Sequence, residues 1–227
     1  MTKLNQLYKI LLKQYGRQGW WPIKGKYSGG PNSEKEKFEV CIGAILAQNT
    51  AWKNVEKALD KLRRAKALDR KSLEKIPVAK LARLIKPAGY YNQKAKKLKE
   101  FARFYQELRG KEPKREKLLE VWGVGPETAD SILLYAYNKP HFVVDAYTRR
   151  ILSRLGVCKG AEGAKGTEKC SYDEIQKFFH KKLPRNAKLF NEFHALLVEH
   201  AKRSCRKRAE AKHCIGCVAR RMCRHWH

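Results

Sequence analysis

The sequence predicts an all-α fold that ends in a cysteine-rich loop. Three observations predict it. Apolar residues recur at helical spacing along most of the 227 residues, no stretch alternates apolar and polar residues as a half-buried strand would, and glycine and proline gather between the helical stretches. No unit repeats at a fixed period. A chain of this length can bury one large core or two smaller ones.

The first helix carries Leu4, Leu7, Tyr8, Leu11 and Tyr15 on one stripe. Residues 17–32 break the pattern with four glycines and two prolines around a Trp20-Trp21-Pro22 turn. Ser33 with Glu36 reads as a capping box that opens a helix toward Gln48. Helices follow at about 51–66, 78–86, 92–108 and 114–120, punctuated by Pro77 and by Pro87-Ala88-Gly89. Pro126 suits the first position of a helix whose core face is Ala129, Ile132, Leu133 and Ala136. Further helices are expected at about 146–156, 172–183 and 187–203, with the glycine- and lysine-rich segment 158–170 as an exposed loop.

Charge narrows the function. The chain has 51 Lys and Arg against 22 Asp and Glu, a formal charge of +29. Self-repulsion on that scale disfavours compaction unless a polyanion shares the working state, and nucleic acid rewards a basic surface through counterion release. A thermophile's surface would balance Lys with Glu, and Glu is too scarce here. No polybasic cluster flanks an apolar anchor and no run approaches a membrane span, so a membrane partner is not expected. The N-terminal apolar run Ile10-Leu11-Leu12 is too short for a signal peptide, so an intracellular, cytoplasmic, nucleoid-associated protein is expected.

The stretch from Leu118 to Asp130 reads as helix, tight turn and second helix, with the turn at Gly123-Val124-Gly125. Glycine permits positive φ and close backbone approach to another molecule. The N–H groups of the following helix start can receive a phosphate. Many helix corners use such a turn; in a chain this basic it becomes a DNA-backbone clamp. Some 20 residues on comes Val143-Val144-Asp145, followed by Ala146-Tyr147-Thr148. Asp145 alone reads as a helix N-cap. A carboxylate fixed at a helix start can also stabilise positive charge on a deoxyribose while its glycosidic bond breaks.

The Gly-Val-Gly hairpin with a Val-Asp at this distance resembles the helix-hairpin-helix DNA glycosylases of the endonuclease III superfamily. The resemblance covers most of the chain. It implies domains of 24–143 and of 1–23 plus 144–227, with the chain crossing twice between lobes. It implies DNA contact by Gly123, Val124 and Gly125 and by two loops that enter the duplex. One is Ala47-Gln48-Asn49-Thr50, where Gln48 would fill the gap left by an extruded base. The other is Gly89-Tyr90-Tyr91, where Tyr90 would press into the opposite strand. Extrusion is needed because the glycosidic bond is out of reach inside a stacked duplex. Read without the resemblance, Gln48 is a polar helix end and Tyr90 a packed aromatic.

One departure narrows the chemistry. Members of the superfamily that also cleave the strand place a lysine two residues after the second hairpin glycine, where it forms a Schiff base with the sugar. Here that residue is Glu127, which cannot form an imine. The expectation is a glycosylase without lyase activity that uses water, with Asp145 as base or electrostatic stabiliser. Trp20, Trp21, Pro22 and Trp52 resemble the base-binding aromatics of the 3-methyladenine glycosylase III subgroup, which also has a glutamate at the Glu127 position. An alkylated purine is cationic and suits an indole face, although these tryptophans also read as core filler. The alternatives are a glycosylase for uracil, thymine or adenine in mismatches, and a DNA-binding protein without catalysis. Double-stranded DNA containing a damaged base is the expected partner, bound by a monomer.

Four of the seven cysteines fall in the last 23 residues: Cys205, Cys214, Cys217 and Cys223, spaced C-x8-C-x2-C-x5-C. Four thiolates this close suit a tetrahedral zinc or a [4Fe–4S] cluster. The x2-then-x5 ending after a helix resembles the endonuclease III cluster loop, although the subgroup's best-known pattern lacks these cysteines. Arg206, Lys207, Arg208, Lys212, Arg220, Arg221 and Arg224 stand against a single acid, Glu210, as expected of a metal-pinned loop that grips phosphates. Cys41, Cys158 and Cys170 are expected to remain free.

Overall fold

A computed structural model describes residues 2–24, 26, 29–156, 170–207 and 214–224. Cys158, Arg208, Glu210, Lys212 and nearly all of the expected loop at 158–170 lie outside the described residues.

Among the described residues the regular elements are helices, with one isolated bridge between Ile23 and Lys26. In chain order they are α1 (Lys3–Tyr15), α2 (Glu34–Leu46), α3 (Trp52–Arg64), α4 (Arg70–Lys75), α5 (Val78–Leu84), α6 (Tyr91–Glu107), α7 (Arg115–Glu120), α8 (Pro126–Ser131), α9 (Ala146–Leu155), α10 (Tyr172–Lys182) and α11 (Ala187–Arg203). Short 3-10 turns lie at Lys86–Ala88 and Arg220–Met222, and a π turn at Ile132–Ala136 continues α8. The chain divides into two compact units, Gly19–Lys139 and Met1–Gln18 with Pro140–His227.

In the Gly19–Lys139 unit, α2 is buried along its whole length from Phe38 to Leu46, as a helix apolar on all sides must be. Its one buried acid, Glu39, pairs with Arg63 of α3 at 2.9 Å. Ser33 caps α2 by accepting from Glu36 N at 3.2 Å. The return arm of the expected capping box goes one residue further out: Glu36 Oε2 accepts from Asn32 N at 2.8 Å. α4 and α5 pack on α6. α4 was not expected; its six residues are too few to show a period, and its only signal is the Asp69 carboxylate capping Ser72 N at 3.0 Å. The expected core face after Pro126 is buried, and the wider π turn brings Leu134 and Tyr135 inward with it.

In the other unit, α1 and α9 both pack on α11. α1 buries Leu4, Leu7 and Leu11, each worth about 1.5–3 kcal/mol against leaving it in water. Phe142 stacks on Phe179 at 3.6 Å and meets Phe190 and Phe193 edge-on. Asn186 caps α11, and a full capping box joins Ser171 and Glu174 at the start of α10.

Candidate functional site

The hairpin is held by a buried ion pair. Arg115, at the start of α7, reaches both oxygens of the fully buried Asp130 in α8, at 2.8 and 3.0 Å. This bidentate fork fixes the two helices about the turn. The two glycines serve different ends. Gly123 has φ +84°, and a Cβ there would fall 2.5–2.7 Å from side-chain carbons of Lys97. Gly125 has an ordinary extended backbone, and a Cβ there would meet nothing within 4 Å. Neither conformation nor internal packing requires glycine at 125, so what it leaves free is outward backbone surface. Val124 between them is buried.

Gln48 docks on this hairpin. Its amide nitrogen donates to the Gly123 carbonyl at 2.9 Å and to Thr128 Oγ1 at 3.0 Å, and its Oε1 accepts from Lys97 Nζ at 2.6 Å. Asn49 is exposed with φ +51°. Tyr90 has φ +45° and is 71 % exposed. Positive φ is rare for a bulky side chain, and such strain clusters at functional positions. The unit therefore gathers Gln48 and the hairpin into one network and holds Tyr90 out in solvent.

Trp20, Trp21 and Trp52 form an aromatic cluster in the same unit. Trp21 meets Trp52 edge-on at 5.0 Å and Trp20 at 6.2 Å. Tyr135 completes it, 5.0 Å from Trp21 and 6.0 Å from Trp20. Trp21 and Pro22 are buried, and Trp21 packs where only Gly43 leaves room in α2. Glu127 stands exposed in the first turn of α8. The sequence reading missed Tyr135, because the π turn that brings it inward leaves no periodic signal.

Asp145 belongs to the other unit and is the N-cap of α9, where Oδ1 accepts from Thr148 N at 2.7 Å. Its Oδ2 lies 3.5 Å from Nε2 of the buried His194 in α11, a charge contact rather than a well-formed hydrogen bond. Burial pushes the Asp145 carboxyl up, but the nearby His194 and the bond from Thr148 N outweigh it and hold the group below its ordinary range. The outcome is a rigid, ionised carboxylate. His194 was also missed; it lies far along the chain on a helix that reads as core.

The four C-terminal thiols line one cavity of about 30 Å³, walled also by Ile151, Leu155 and Ala219. Arg154 donates to Cys205 Sγ at 3.1 Å, and Arg150 to the Cys205 carbonyl at 2.8 Å. Burial pushes the Cys217 thiol up, and Cys205, Cys223 and Cys214 push it further, against a backbone bond from Ala219. Four thiolates gathered at one cavity repel one another, and a shared cation would offset that repulsion. Among the described residues no three His, Cys, Asp or Glu side chains are arranged to hold a lone metal ion. Arg206, Lys207, Arg220, Arg221 and Arg224 are exposed around the cavity. Cys41 and Cys170 are buried, and burial pushes the Cys41 thiol up.

Comparison with known proteins identifies the family. Residues 42–177 match the HhH-GPD superfamily of base excision DNA repair proteins. A Methanocaldococcus jannaschii protein provisionally named a DNA repair glycosylase is 44 % identical over 92 % of this chain and 91 % of its own. Endonuclease III of Thermotoga maritima is 32 % identical over 77 % of this chain and 78 % of its own. The crystal structure of the 3-methyladenine DNA glycosylase MagIII of H. pylori, bound to 1,N6-ethenoadenine, superposes with a TM-score of 0.69 at 31 % identity. It covers 89 % of this chain and 98 % of that one.

Proposed function

Taking as premise that the chain belongs to the HhH-GPD superfamily and is a base excision repair DNA glycosylase, we propose that it is a monofunctional hydrolase. Its substrate would be an alkylated purine, such as 3-methyladenine, extruded from double-stranded DNA. The observation that carries this reading is the half-buried, ionised Asp145, held between Thr148 and His194. As the glycosidic bond lengthens, positive charge grows on the deoxyribose. A fixed carboxylate stabilises that charge without having to reorganise, and it can take a proton from the attacking water.

The leaving base supports the same choice. A purine methylated on its ring is cationic and departs neutral, so it needs stacking more than an acid. Trp20 and Trp52, partly exposed and backed by the buried Trp21 and Tyr135, offer that surface, and the similar H. pylori structure carries a 3-methyladenine glycosylase with an etheno-purine bound. At Glu127 a carboxylate occupies the position where a lyase needs an amine. Gly125 would receive a phosphate through its open backbone, while Gln48, Asn49 and Tyr90 would enter the duplex. One chain carries hairpin, loops and carboxylate, so a monomer suffices.

The Cys205, Cys214, Cys217 and Cys223 cavity fits a [4Fe–4S] cluster better than a lone zinc. The four thiols line one cavity, and their x2-then-x5 ending after a helix resembles the endonuclease III cluster loop. When bound, the cluster would supply a covalent pin and no substrate chemistry. The exposed Arg206, Lys207, Arg220, Arg221 and Arg224 would then meet phosphates with little left to order.

A panel of duplexes tests this reading: methylated DNA, an ethenoadenine duplex, and G·T, G·U and A·G mismatches, each scored for free base and for borohydride-trapped adduct. Free methylated purine with no adduct is expected. Release confined to mismatches would overturn the substrate assignment, and a covalent adduct would overturn the Glu127 reading.

A further inference from the structure

Lys94 lies near the start of α6 and is 2 % exposed. Its ammonium donates to the carbonyls of Leu46 and Ala88, each at 2.8 Å, and to Thr50 Oγ1 at 3.1 Å. The Thr50 hydroxyl in turn donates to the Ala88 carbonyl. Leu46 ends α2 and leads into Gln48 and Asn49; Ala88 ends the 3-10 turn and leads into Gly89 and Tyr90. One ammonium therefore caps two helix ends, and the next residues at each end are a loop.

Lysine is an expensive choice here. It is almost never fully buried without a charged partner, and the described residues show no carboxylate bonded to Lys94. It also sits at the positive end of α6, where a cation is disfavoured. Burial, and then the charge of Lys97, push its pKa down to about 8. The groups bonded to it from α2, the 3-10 turn and the Thr50 loop are uncharged, so Lys97 is the charged neighbour acting on it. What lysine supplies in return is three donors aimed at three acceptors from separate segments.

We propose that Lys94 is a positioning residue that locks the Gln48-Asn49 loop and the Gly89-Tyr90 loop together, so that both enter a duplex as one rigid piece. This rests on the reading that these loops enter DNA. Once the proton is lost, the amine keeps two donors for three acceptors, and the coupling loosens.

The test uses the full chain and a duplex with 2-aminopurine beside a tetrahydrofuran abasic analogue, reading brightening for strand opening and anisotropy for affinity. Wild type brightens the probe. Lys94→Met opens the duplex at least about tenfold more slowly, because small misplacements of inserting groups are costly. Its affinity stays within about threefold, because phosphate contacts dominate binding. Wild-type opening slows as pH rises through about 8, and Lys94→Arg, which keeps its proton, is flat over that range. If Lys94→Met does not fold, Thr50→Val, which removes one of the three acceptors, decides by the same slowing. Opening at wild-type rate in Lys94→Met or Thr50→Val overturns the coupling alone. A wild type that never brightens the probe overturns the loop-insertion reading and this inference with it.

Discussion

Asp145 uses one carboxylate oxygen to cap α9 and sets the other toward His194. Because its folded pKa lies below the ordinary 3.8, the stability it adds is present above the unfolded value and is lost as pH falls through the folded one. The same sign governs catalysis: base release should persist below about pH 4 before an Asp145 acid limb appears. Replacing His194 with Gln removes the largest influence holding the carboxyl down. It should move that limb upward in a single-turnover pH–rate profile while Asp145 still caps α9 through the Thr148 N–H. Asp145 was legible because a Val-Asp before a helix has a cap's spacing and a superfamily resemblance. Its partner was not, since a histidine inside an apolar helix carries no mark of what faces it.

At the scale of elements, the hairpin separates conformational from contact glycines. Gly123→Ala meets both a positive φ and the Lys97 stem, and should lower stability by about 1–3 kcal/mol. Gly125→Ala meets nothing; it should melt within about 0.5 kcal/mol of wild type yet bind duplex more weakly. Thermal melts paired with duplex titrations distinguish the two. Helices long enough to show a period whose ends also carry a capping side chain were readable: Ser33 for α2, Asp145 for α9. Elements whose cause lies in tertiary packing were not. α4 is too short to show a period, and the π turn that delivers Tyr135 answers to the crowding around it. Lys94 was hidden for a different reason: in a chain of 51 Lys and Arg, one more lysine reads as surface.

For the whole molecule, the +29 charge makes binding a salt-dependent equilibrium. The logarithm of duplex affinity should fall linearly with the logarithm of salt, by a slope of about 0.9 per neutralised phosphate. Removing the cluster proposed for the cysteine cavity, or changing Cys217 to Ser, should shallow that slope and lower hydrogen-exchange protection in the described residues around Cys205 to Cys223. Protection in α2 and α6 should be unaffected. A slope unchanged by loss of the group would mean that Arg206, Lys207, Arg220 and Arg221 do not reach phosphates.

The most direct measurement is single-turnover release of free base from a methylated duplex by wild type and by Asp145→Asn, with DNA affinity recorded on the same samples. Asparagine caps a helix about as well as aspartate, so the fold and the affinity should stay near wild type while release falls by about a hundredfold or more. Release at the wild-type rate from the Asn variant would contradict the account at its centre, because the carboxylate would then have no part in breaking the bond.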